Sequence, residues 1–206
     1  MLNTTHSPFF VVEEFISPLA SETFIDYLNV TVPDVDKDGN PIYSTRTDER
    51  IQEIVYERIL QLVPQLEKHY NIQYRGTHPI TVEWVPQGCD GISAHSENSK
   101  FVRGKWLRTQ TKDLTGVIFL SDYQDKLPFE GEFEVYGGKL EFPQHRFGFN
   151  PQRGTLIVFP GAPHFINLTS PIEVGDLFQI RFHISAKEPY LYQPDAFPGN
   201  YTTWFK

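Results

Sequence analysis

The feature that most restricts this chain is a change of rhythm near residue 76. Before it, apolar residues recur at helical spacing; from Pro79 on, they fall in short β-rich runs separated by Gly and Pro. The runs are Ile80–Val85, Gly116–Leu120, Phe133–Tyr136, Lys139–Phe142, Thr155–Phe159, His164–Leu168 and Leu177–Ile184. Many short strands with turn residues between them bury their apolar sides by closing face to face, as a sandwich, barrel or jelly roll. Upstream, Ile51, Ile54, Val55, Ile59, Leu62, Val63 and Leu66 step by three and four, with Glu53, Glu57, Arg58 and Gln61 opposite. That pattern predicts an amphipathic helix, which Pro64 is expected to kink or shorten. Ser17 and Pro18 open an earlier helix with Leu19, Phe24, Ile25 and Leu28 on its apolar side. With no repeat and no low-complexity linker, the expectation is one α+β domain. Its parts are a helical region (1–75), a β core (76–186) and a C-terminal tail (187–206).

At 206 residues the chain suits one domain. Cys89 is its sole cysteine, so no intrachain disulfide forms, which fits a reducing compartment. No apolar run approaches the ~18 residues of a membrane span, and the first ten residues lack a basic-then-apolar signal. The expectation is a cytoplasmic protein without a membrane partner. Eighteen Lys and Arg against 26 Asp and Glu give a net charge of −8, which argues against general nucleic-acid binding. The oligomeric state is not set by the sequence.

One constellation suggests chemistry. His95 and Glu97 stand at i and i+2, on one face of an extended strand. His164, at the start of a β-rich run, offers a third ligand. Two His and one carboxylate on one face of a metal leave positions open, as non-haem Fe(II) oxygenases require. A lone His-x-Glu is otherwise a common surface accident, so the surrounding residues decide its weight.

Those surroundings resemble the prolyl 4-hydroxylase-like branch of the 2-oxoglutarate and Fe(II)-dependent dioxygenases. Residues 9–28 (FFVVEEFISPLASETFIDYL) look like its opening strand and helix, and residues 84–88 (WVPQG) like its Tyr-x-x-Gly lead into His-x-Asp. Residues 116–122 (GVIFLSD) are similar to its central strand, and residues 137–142 (GGKLEF) to its Gly-Gly-x-Leu-x-Phe signature. Residues 151–159 (PQRGTLIVF), followed by His164, are similar to the run before its distal His. The resemblance implies a double-stranded β-helix (jelly-roll) core with the N-terminal helices packed on one sheet. It implies Fe(II) held by His95, Glu97 and His164, with 2-oxoglutarate and O2 as cosubstrates and ascorbate as a possible reductant. The implied reaction is hydroxylation of an unactivated C–H, on a prolyl or other residue of a protein or peptide. The alternatives are the same chemistry on a small molecule or nucleobase, or a non-catalytic jelly-roll metal-binding module.

Three departures stand out. The metal carboxylate is Glu97 where the family has Asp, and Trp84 replaces the lead Tyr. Leu177 stands where the family carries the basic residue that grips 2-oxoglutarate. The substitute is Arg181, 17 residues after His164, on the strand face shared by Leu177, Gln179 and His183. An inward Arg needs an anion beside it, either the cosubstrate or a protein carboxylate.

Lys100, Arg103, Lys105, Arg108 and Lys112 form a basic run with no acid between them. Arg103, Lys105, Trp106 and Arg108 are candidate substrate contacts, for an acidic peptide or a nucleic-acid strand; a solvated loop is the plain alternative. Removing those five cations leaves −13 for the rest of the chain. Residues 34–39 (DVDKDG) open like a calcium loop, but Thr45 occupies the position that needs Glu, so a polar turn is expected. The tail 189–206 carries Tyr190, Tyr192, Phe197, Tyr201, Trp204 and Phe205 and is expected to cover an apolar face.

Overall fold

The computed structural model describes residues 7–28, 32–127 and 133–192. The N-terminal part comprises β1 (Phe10–Val12), α1 (Pro18–Leu28), β2 (Ser44–Arg46), α2 (Glu49–Tyr70) and β3 (Tyr74–Thr77). There follow β4 (Thr81–Val85), β5 (Ile92–His95), β6 (Ser99–Val102), β7 (Lys105–Arg108), β8 (Leu114–Phe119) and β9 (Asp122–Tyr123). The last strands are β10 (Glu134–Gly137), β11 (Leu140–Phe142), β12 (Phe147–Phe149), β13 (Leu156–Pro160), β14 (Asn167–Thr169), β15 (Ile172–Gly175) and β16 (Leu177–Ala186).

The major sheet has seven strands in the order β1-β13-β8-β16-β4-β2, with β3 also pairing β16. A four-stranded sheet, β12-β11-β14-β5, and a three-stranded one, β15-β10-β9, complete the core. Ten-residue β16 shows how the layers form. Phe178, Ile180, Phe182 and Ile184 join a cluster with Ile51, Val55, Ile59, Leu62 and Leu66 of α2 and Phe24 and Ile25 of α1. Leu177, on the other face, joins Val85, Val117, Phe119, Ile157 and Phe159 against Leu140, Phe142 and Phe165. Period-two alternation thus splits one strand between a helix-side core and a sheet-to-sheet interior. The expected α+β organisation, with helices against one sheet, is observed.

Helix α2 is fixed at its start by Asp48, whose carboxylate accepts from the Arg50 and Ile51 amides at 3.0 and 3.2 Å. Asp48→Ala should cost about 1 kcal/mol, lowering the melting temperature by roughly 2–4 °C in a thermal melt. Pro64 does not shorten the helix, which runs on to Tyr70. It lies on the exposed side, where the Leu60 carbonyl it leaves without an amide donor can turn to water. Leu19, assigned to the apolar side of α1, is 73% exposed.

The run at His164–Leu168 is not one strand. Pro163–Phe165 forms a single 3₁₀ turn, and β14 begins only at Asn167. The 34–39 loop is the polar turn expected: Asp36 Oδ1 accepts from the Asp38 and Asn40 amides at 2.8 and 2.9 Å. Of the tail aromatics, Tyr190 and Tyr192 pack against the core, while Phe197, Tyr201, Trp204 and Phe205 lie outside the described residues. Among the described residues no helix is long and apolar enough to cross a membrane.

Candidate functional site

The polar residues of the sheet-to-sheet interior come from five places in the chain. β4 supplies Glu83, β5 ends on His95, the segment after it carries Glu97, β14 opens with Asn167, and β16 contributes Gln179, Arg181 and His183. Strand parity puts them together. Gln179 is the register partner of Glu83, and Asn167 is the register partner of His95. Glu83, Glu97, Asn167, Gln179, Arg181 and His183 are all buried.

Arg181 is the hub. Its Nε donates to Glu83 Oε1 at 2.8 Å and its Nη1 to Glu97 Oε1 at 2.6 Å. Gln179 Nε2 donates to the other Glu83 oxygen at 2.6 Å. Asn167 Nδ2 donates to Glu97 Oε1 at 3.3 Å, and His95 Nε2 lies 3.3 Å from the same oxygen. His183 Nε2 is 3.8 Å from Glu97 Oε2, and its Nδ1 meets Thr115 Oγ1 at 3.1 Å. Two carboxylates on one guanidinium leave one negative charge in excess. These contacts are charge-assisted hydrogen bonds in a buried setting, where partners matter most.

The protonation states follow from that crowding. Burial pushes the Glu97 carboxyl up, but the Arg181 charge and the His95 contact outweigh it and hold the group far below the usual carboxylate range. Burial likewise opposes charge on Arg181, and Glu83 and Glu97 more than restore it. His183, buried and near Arg181 and Lys112, is pushed down to about 3 by desolvation despite the attraction of Glu97. It is therefore a neutral imidazole at neutral pH. His95 is desolvated too, but its contact with Glu97 raises it above the ordinary histidine value.

The sequence-derived set divides here. His95, Glu97 and Arg181 come together as expected of neighbours in one site. His164 does not join them. It is exposed in the 3₁₀ turn, its ring 5.3 Å from that of Tyr192 and its carbonyl accepting from His145 Nε2 at 2.7 Å. The reason is phase: Phe165, Asn167 and Thr169 point inward, at 0, 0 and 2% exposure, and His164 lies on the opposite parity. Asn167 therefore occupies the place across from His95 where a third ligand was sought. Arg181 meets protein carboxylates, the second of the two anions expected for it, through Nε and Nη1, while its Nη2 is buried without a hydrogen-bond partner among the described residues. Leu177, at the family's basic position, is fully buried in the apolar cluster. Trp84 faces the helix-side core, stacked at 11° on Phe178, with its Nε1 donating to Asp176.

Sequence reasoning overlooked Glu83 and Asn167, and placed Gln179 on the interior face without giving it a partner. A charge in the middle of the run Ile80–Val85 was the available signal for Glu83. Asn167 was hidden by reading His164–Leu168 as a single strand. Arg103, Lys105, Trp106 and Arg108 lie on the ribbon of β6 and β7, which leaves the body just after Glu97. Arg108 is partly committed: its Nη2 donates to buried Asp113 at 2.8 Å.

No protein-family model and no curated protein matches the chain. Solved structures do. A viral collagen prolyl hydroxylase from Paramecium Bursaria Chlorella virus-1, in its 2OG complex, matches with TM-score 0.60 at 14% identity, over 90% of this chain and 99% of its own. A Pseudomonas putida prolyl-4-hydroxylase matches at 0.57 and 13%, over 88% and 94%. HygX from Streptomyces hygroscopicus, with nickel and 2-oxoglutarate bound, matches at 0.55 and 12%, over 88% and 84%. The chain has a prolyl-hydroxylase-like dioxygenase fold. That fold normally implies a metal, and the residues present here do not fit one. Among the described residues no group of three or more His, Cys, Asp and Glu side chains lies close enough to hold an ion. Asn167 is a poor third ligand, and the Glu97 oxygen nearest His95 is already held by a guanidinium.

Proposed function

We propose that this chain uses a double-stranded β-helix of the dioxygenase type as a non-catalytic binding and assembly module. The observation that carries the reading is the 2.6 Å contact between Arg181 Nη1 and Glu97 Oε1. A dication drawing on the Glu97 oxygen nearest His95 would compete with that guanidinium for Oε1. Asn167 beside the same oxygen and Leu177 at the cosubstrate position support the reading, since both remove affinity for a metal–dicarboxylate pair.

The second reading is an Fe(II)- and 2-oxoglutarate-dependent hydroxylase. It is favoured by the fold and by His95 and Glu97 lying 3.3 Å apart. Relatives of this fold include a prolyl hydroxylase from Trichoplax adhaerens with a hypoxia inducible factor peptide and HygX with hygromycin B. A peptide or a small molecule would accordingly be the substrate. Anaerobic addition of Fe(II) and 2-oxoglutarate to the chain separates the two. The expected result is no visible metal-to-ligand charge-transfer band, and no succinate above a protein-free control once air is admitted. A band abolished by His95→Ala and by Glu97→Ala would overturn the module and install the hydroxylase.

A further inference from the structure

The β6–β7 ribbon is unusual for a part of the chain with no function yet. Its register pairs Phe101 with Trp106, Lys100 with Leu107, and Val102 with Lys105. Opposed residues share a face, so Phe101 and Trp106 lie on one side, their rings 5.3 Å apart, and Val102 and Leu107 on the other. All four are open to solvent, at 62, 41, 42 and 50% exposure. Arg103 and Gly104 make the tip with φ of 50° and 80°, the positive-φ pair of a tight two-residue hairpin. The base is rigid: Thr109 and Gln110 amides donate to the Asn98 carbonyl at 2.8 and 3.2 Å, and Asn98 N donates to Gly161 O at 3.1 Å. A firmly rooted arm thus presents apolar side chains on both faces. Among the described residues its strands pair only with each other, leaving both edges open.

We infer that this ribbon docks head-to-tail into the acidic body of a second copy of the same chain. Three observations select that occupant. Apolar residues on both faces call for a groove that covers both, which a protein supplies and a single nucleic-acid strand does not. Lys100, Arg103 and Lys105 are exposed and the ribbon carries no acid, whereas the chain without its basic run has a net charge of −13. The complementary charge is therefore on the chain itself. Open edges also suit strand addition, whose main-chain hydrogen bonds need no particular sequence in the partner. Ribbon-to-ribbon pairing about a two-fold axis would oppose like charges, so the contact is heterologous.

Sedimentation equilibrium of the full chain over the micromolar range tests this. Wild type should self-associate reversibly, more weakly at high salt. Phe101→Ser with Trp106→Ser should weaken association about thirtyfold or more. Lys100→Glu with Lys105→Glu should weaken it and remove most of the salt dependence. A ribbon-defective copy keeps its acceptor surface and should still bind wild type in a mixture, which two-fold ribbon pairing would not allow. If the aromatic pair proves needed for folding by thermal melt, Val102→Ser with Leu107→Ser takes its place. The inference is overturned by a wild-type monomer throughout, by association indifferent to these variants, or by a monomer that binds fluorescein-labelled oligo(dT) through the ribbon. None of these outcomes depends on whether Fe(II) binds.

Discussion

Arg181→Met is expected to destabilise the protein by about 3–5 kcal/mol, a fall of roughly 6–20 °C in melting temperature. The variant fills the same space with an apolar chain but leaves Glu83 and Glu97 buried without their common cation. Among the described residues Glu83 is then left with the Gln179 amide and Glu97 with the Asn167 amide and His95, since His183 is neutral at ordinary pH. The loss is the penalty of stranded charge more than the worth of the bridge, and a second variant separates the two. Glu83→Gln, Glu97→Gln and Arg181→Met together remove every charge and should return to within about 1–2 kcal/mol of wild type. Thermal melts of the single and triple variants check this. A single variant that melts near wild type would sink the reading of these contacts as a structural salt bridge.

The second large effect is at Gly91. This residue has φ +83°, and an added Cβ would collide with the Thr169 carbonyl oxygen and crowd that of Ser170. Its lack of a side chain is what lets β5 approach β14 closely enough to set His95 opposite Asn167. Gly91→Ala should cost at least about 3 kcal/mol, since a positive φ and a backbone collision must both be relieved. Beyond a lower melting temperature, hydrogen exchange at the β14 amides should accelerate as that pairing loosens. Gly39→Ala is a useful control, with φ +85° and nothing within 4 Å of the added carbon, so strain acts there without the collision. Equal losses at both positions would show that close packing at Gly91 is unimportant.

These residues also show how far the chain could be read unaided. Helix α2 was legible because its buried positions Ile51, Val55, Ile59, Leu62 and Leu66 repeat at the helical period, a local property. Strand β16 was legible for the same reason at period two, and that reading correctly placed Gln179, Arg181 and His183 on the interior face. The third corner of the site was not. Whether residue 164 or 167 faces His95 depends on where β14 starts and how it registers on β5, a pairing across some 70 residues. A 3₁₀ turn at Pro163–Phe165 delays the strand, and Asn167 takes the inward position.

What the sequence by itself determined is the class of object: two helices, then a β core, with a buried arginine that required an anion. Those follow from periodicity and from the cost of burying charge, both of which act locally. Only the tertiary structure decided which anion. Glu83 and Glu97 lie 98 and 84 positions from Arg181 in sequence, and hydrogen bonding brings both to it. The fold brings a cation to Glu97 because β16 places a guanidinium within reach of that carboxylate, while β14 sets Asn167 opposite His95.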